Sequence, residues 1–138
     1  MASPESSAGT ASPVTTTFLL LVTVQALHSI EEYRGWLYDV FPPARLVSGL
    51  ISADRERGFL IANIAFVGFG LWCYLWPIRH RWRSASALMW LWVVVEMVNG
   101  VGHPAWSLVQ GGYTPGVATA PFLLVLALVL AYQLQSSR

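Results

Sequence analysis

Four stretches of this chain are too apolar and too poor in charge to rest in water: about Val14–Tyr33, Gly58–Ile78, Ser84–Gly102 and Val117–Leu134. A helix needs about 20 predominantly apolar residues to cross the hydrocarbon core of a bilayer, and each stretch approaches that length. Backbone N–H and C=O groups in hydrocarbon must find partners within the protein, and none of the four shows the period-two alternation of a barrel strand, so helices follow. The sequence therefore predicts an all-α, polytopic membrane protein, a four-transmembrane-helix bundle forming one domain over residues 14–134. Composition agrees: only 11% of the 138 residues are charged, against about 25% in soluble domains.

The flanks and connections are legible in the same terms. Residues 1–13, rich in Ser, Ala and Pro, read as a disordered tail. They have no basic stretch ahead of the first apolar run, which argues against a cleaved signal peptide. Residues 135–138 read as a short C-terminal tail. Between the first two runs, Pro42 and Pro43 should break any helix, while Leu46, Val47, Leu50 and Ile51 suit a short amphipathic segment on the interface, a partly ordered lid. The turn Arg79–Arg83, RHRWR, is the natural cytoplasmic loop and would place both termini in the cytoplasm. Arg34, Arg45, Arg55 and Arg57 in the first loop nearly balance it. Trp36, Trp76, Trp82 and Trp106 fall near predicted helix ends, where indole anchors are expected.

Several functions are excluded. A net charge of +1 provides no field for nucleic acid. The single cysteine, Cys73, rules out an intramolecular disulfide and a cysteine-based zinc site.

The polar residues inside the apolar runs carry the functional signal. If successive helices alternate in direction, His28, Glu31 and Glu32 near the end of the first run share one side of the membrane with Glu96, Asn99 and His103 of the third. Asn63, early in the second run, and the Gly111–Thr119 stretch ahead of the fourth join them. Spacing sharpens the convergence. His28 is i, i+3 from Glu31 and i, i+4 from Glu32, so all three side chains can share a helix face. Glu96, Asn99 and His103 follow i, i+3, i+7, again one face. An isolated charge at the depth of Glu96 costs at least about 2.5 kcal/mol, so this carboxyl must face inward and find a proton or a cation. His28, Glu31, Glu32, Glu96 and His103 form a candidate ligand set for a divalent metal such as zinc or iron. Asn63, Asn99, Tyr113 and Thr119 are candidates for orienting the ligands or contacting substrate.

The His28-Ser29-Ile30-Glu31-Glu32 motif resembles the signature of the HXXEE family, small bacterial integral membrane proteins of uncharacterised function. Glu96, Asn99, His103 and the Tyr113-x-Pro115-Gly116-x-x-Thr119 stretch follow in the order of that family. The resemblance implies a compact multi-helix domain with a polar centre in a bacterial inner membrane, and it supplies no reaction.

Three functions fit these residues. In the first, a metal-dependent enzyme acts on an apolar or lipid-like substrate, with Glu32, His28 and Glu96 in catalytic roles. The second is a metal-free acid–base enzyme, an isomerase for example, using His28 as base and Glu96 as acid. The third is a small proton-coupled carrier, which with so few helices would need to form a homodimer. The excess of ligand-type groups on two helices favours the first.

Overall fold

The computed structural model describes residues 12–136. Among these, every regular element is helical. Helix α1 spans Pro13–Arg34, two short helices α2 (Leu37–Val40) and α3 (Pro42–Ile51) follow, and α4 (Arg55–Cys73) runs into a π-helical turn (Tyr74–Ile78). Helix α5 spans Ala85–Gln110 and α6 spans Ala120–Ser136. Three helical stretches are long and apolar enough to cross a membrane: Pro13–Arg34, Arg55–Ile78 and Ala85–Gln110. Helix α6 is apolar and shorter.

Local chemistry explains the ends. Ser12 caps α1 by accepting from the Thr15 N–H, with Pro13 in the first turn, where its missing N–H costs nothing. Most of the predicted N-terminal tail lies outside the described residues. Asp54 caps α4 in the same way, accepting from the Arg57 N–H, so this helix starts at Arg55 rather than near Gly58.

Three expectations are corrected. Pro42 and Pro43 do not merely break a helix: they start α3, because proline's fixed φ suits the first helical turn. The third apolar helix does not end near Gly102. It passes through Pro104 to Gln110 and stops at Gly111 in the left-handed region, φ 70°. Proline removes one ladder hydrogen bond, and the last two turns are held by tertiary contacts: Trp106 packs on Phe41, and Ser107 bonds Thr114. The fourth apolar helix starts at Ala120 rather than near Val117, because the amides of Ala118 and Thr119 are taken by a carboxylate of α1.

Packing forms an arc in which α4 lies on α1, α1 on α6 and α6 on α5, while α3 lies across α4. The core centres on Trp92 of α5. Its indole meets Phe18 of α1 edge-on at 5.9 Å and stacks on Phe66 of α4 at 4.5 Å. Buried Leu21, Val22, Cys73, Leu123 and Leu130 complete it. Large aromatic side chains therefore bridge α4 and α5. The outer faces expose Leu20, Ile64, Val98, Phe122 and Val125, a surface suited to lipid. Helix α3 presents Leu46 and Leu50 outward, 65% and 78% exposed, as an amphipathic helix at an interface does.

Candidate metal centre

The polar centre lies where the last turns of α1 meet α5 and the irregular segment 111–119. An α-helix turns about 100° per residue, so His28 and Glu32 project to the same side while Glu31 is rotated away from Glu32. The structure uses this divergence. Glu32 Oε1 lies 3.2 Å from His28 Nε2 and 3.1 Å from His103 Nε2. The three residues are buried, and one ligand atom from each falls within 4.8 Å of the others, a group that could hold a metal ion. Two nitrogens and an oxygen each about 2.0–2.1 Å from one tetrahedral ion would stand about 3.3 Å apart, close to the two nitrogen–oxygen separations of 3.2 and 3.1 Å.

Hydrogen bonding fixes the protons. His103 Nδ1 lies 2.8 Å from the Pro115 carbonyl, which can only accept, so this nitrogen carries the hydrogen. Glu31 receives four donors: the Tyr113 hydroxyl, the Ala118 and Thr119 amides, and the Thr119 hydroxyl at 2.6 Å. The Thr119 hydroxyl has one proton and gives it to this carboxylate. His28 Nδ1, 2.7 Å from the same Thr119 oxygen, must then donate to it. In their neutral forms both imidazoles therefore turn Nε2 lone pairs toward the carboxylate oxygen. His28 Nε2 is fully buried and makes no hydrogen bond. With both rings neutral, three electron pairs meet in a buried space, an arrangement that a cation satisfies.

Glu31 is not among the converging atoms, because both its oxygens serve the start of α6. A carboxylate there satisfies amides that the helix leaves unpaired and complements its dipole. The exposed Tyr113 hydroxyl gives its proton to Glu31, since a phenol is a donor at neutral pH.

Comparison with known proteins supplies the family. The family described as "Protein of unknown function with HXXEE motif" matches residues 19–131. The chain belongs to the HXXEE family. No curated protein and no solved structure matches it. Within the HXXEE motif the labour divides: His28 and Glu32 face the buried centre, while Glu31 ties α1 to the segment that carries Thr119, the partner of His28.

The remaining predicted residues take other places. Glu96 is fully buried on α5 and stands outside the His28, Glu32 and His103 group. The Asn99 amide donates to it at 3.2 Å. Gln25, oriented so that its NH2 faces the carboxyl, donates at 2.9 Å and accepts from the Ser29 hydroxyl. Asn63 donates to the Phe59 carbonyl one turn back on α4. Tyr113 reaches the centre through Glu31, and Thr119 bonds both Glu31 and His28.

Gln25, the Pro115 carbonyl and Gly116 were not foreseen as site residues. Gln25 is one turn before His28 on the buried face, a position that i, i+3 spacing could have flagged. The Pro-Gly pair reads only as a turn until its neighbours are known. Gly116 has φ 93°, and a Cβ there would lie 2.5 Å from His103 Nδ1 and 2.9 Å from His28 Cε1. Gly116→Ala is therefore expected to displace both rings and to destabilise the fold by about 1–3 kcal/mol. Thermal unfolding and metal content measured together check this, and an alanine variant with native values of both would sink the account of these contacts.

Proposed function

We propose that His28, Glu32 and His103 hold a divalent transition metal near the membrane surface, and that the protein is a membrane-embedded metalloenzyme acting on a lipid-like substrate. The observation that carries this reading is the convergence of Glu32 Oε1 with the Nε2 atoms of His28 and His103 in a buried space, each ring's Nδ1 hydrogen being directed elsewhere. Two imidazoles and one carboxylate are a ligand set suited to catalytic zinc, which supports hydrolysis, and to iron(II), which supports oxidation. Three protein ligands leave a position for water or substrate. Thr119 and the Pro115 carbonyl would orient the imidazoles. Glu96 with Gln25 and Asn99 would form a polar floor beneath them.

We also infer that α6 crosses the bilayer, giving four spans in a bacterial inner membrane with the Arg79–Arg83 turn on the cytoplasmic side. Its 17 residues reach only about 26 Å, less than the roughly 30 Å hydrocarbon core. Residues 111–119 would supply the rest. Non-helical backbone is tolerated at such depth where it is buried against protein, and Thr114, Pro115 and Gly116 are buried.

Elemental analysis of untagged protein in gentle detergent tests the metal. The expected result is about one zinc or iron per chain, less than about a tenth of that in His103→Ala, and at least about half in Glu96→Gln. Metal-free wild-type protein, or equal metal in all three, would overturn the proposal.

A further inference from the structure

A cavity of about 290 Å³ lies beneath α3, between α4 and α5, and Glu32 forms part of its wall. We infer that this cavity takes the carboxylate end of a long-chain fatty acid entering from the bilayer between α4 and α5. The inference rests on the metal reading above and names the substrate class of that same centre.

The walls are graded in polarity. Glu32, Asn99 and Ser48 stand with the apolar Ala62, Phe66 and Val95 around one space. Ser48 is fully buried and its hydroxyl has no hydrogen-bond partner. A buried hydroxyl without a partner is costly, and a polar ligand in the cavity would satisfy it. The backbone around Ser48 is held firmly, because its carbonyl presses on Gly58 of α4, where any side chain would collide.

Charge and size narrow the occupant. A divalent ion with the single charge of Glu32 leaves a net positive charge, which one further carboxylate neutralises. Glu31 does not alter this balance, since its charge is met by four donors at the start of α6, and Glu96, fully buried with amide partners and no cation, is counted as the neutral acid. At about 30 Å³ per water-sized group, the cavity holds roughly ten non-hydrogen atoms. That is enough for a head group and a few methylenes, and the rest of a longer chain must lie outside. The outside is apolar: Val94 and Val98 of α5 are exposed, and α3 turns Leu46 and Leu50 outward above. A single acyl chain passing out between α4 and α5 would find lipid rather than water.

The test is binding of radiolabelled palmitate to zinc-loaded protein in nanodiscs, with metal content measured on the same samples. Ala62→Trp fills the cavity, Val95→Phe fills it from α5, and Leu60→Trp enlarges a wall of the separate groove between α1 and α4. The expected result is at least about a ten-fold loss of palmitate affinity in Ala62→Trp and in Val95→Phe, with metal retained, and native affinity in Leu60→Trp. Either cavity variant suffices if the other fails to fold. Native palmitate affinity in a folded, metal-bound cavity variant, or a loss confined to Leu60→Trp, overturns the cavity assignment and leaves the metal proposal standing. Metal-free wild-type protein overturns the metal proposal instead, and is read from the metal analysis alone.

Discussion

Glu32→Gln is expected to abolish metal binding and, at the same time, to raise the melting temperature of the metal-free protein. Glu32 Oε1 faces two imidazole nitrogens, His28 Nε2 and His103 Nε2, at 3.2 and 3.1 Å. Both rings use their Nδ1 hydrogens elsewhere, on Thr119 and on the Pro115 carbonyl. With both rings neutral, three acceptors oppose one another in the metal-free wild type. A glutamine of the same shape can rotate its amide so that two N–H groups point at the two lone pairs. Each new hydrogen bond contributes about 0.5–1.5 kcal/mol, so the metal-free variant gains about 1–3 kcal/mol. Thermal unfolding of chelator-treated wild type and variant, side by side in nanodiscs, reads the sign directly. A melting temperature several degrees higher in the variant supports lone pairs awaiting a cation. The opposite sign carries a different chemistry. If both imidazoles were protonated and paired with the carboxylate, removing its charge would leave buried cations unpaired and cost several kcal/mol.

The fold was legible because hydrocarbon tolerates few backbone solutions, so runs such as Phe18–Leu27 and Leu123–Ala131 admit little but helix. Element ends were less so. The extension of α5 to Gln110 depends on Phe41, distant in sequence, and on Thr114 just past the helix, and the late start of α6 depends on Glu31. The site divides in the same way. His28 and Glu32 share a face by helical periodicity alone, and His103 could be placed near them by counting the alternating apolar runs. The role of Glu31 could not be read so. At i, i+3 it could turn toward the imidazole, and only the amides of Ala118 and Thr119, 87 and 88 residues later, draw it away. Glu96 had to face inward, as it does. Its partners are amide groups of Gln25 and Asn99, which periodicity places nearby without saying whether they or the imidazoles make the contact.

Glu31→Ala is expected to loosen the start of α6 and to weaken metal binding from outside the ligand shell. The substitution removes the acceptor for the Tyr113 hydroxyl, the Ala118 and Thr119 amides and the Thr119 hydroxyl. Loss of a helix cap costs about 1 kcal/mol and loss of hydrogen bonds to a charged group about 1.5–3 kcal/mol each. Glu31 is only partly buried, so water replaces some of these bonds, and a net loss of about 2–4 kcal/mol is expected. The metal is affected through a proton. Without Glu31 the Thr119 hydroxyl is released to donate to His28 Nδ1, 2.7 Å away. That bond favours the other tautomer, with the hydrogen on Nε2, the atom proposed to face the metal. Metal binding must then displace a proton or reverse the tautomer, and affinity should fall about 10–100-fold, as for other losses of a partner behind a ligand. Glu31→Gln keeps an acceptor oxygen and should fall between the two. Competition against a calibrated chelator measures the affinity, and nitrogen NMR of labelled histidine identifies which ring nitrogen of His28 carries the hydrogen. A variant with native affinity and with the hydrogen still on Nδ1 would show that Glu31 holds α6 alone. The His28 tautomer would then need another cause.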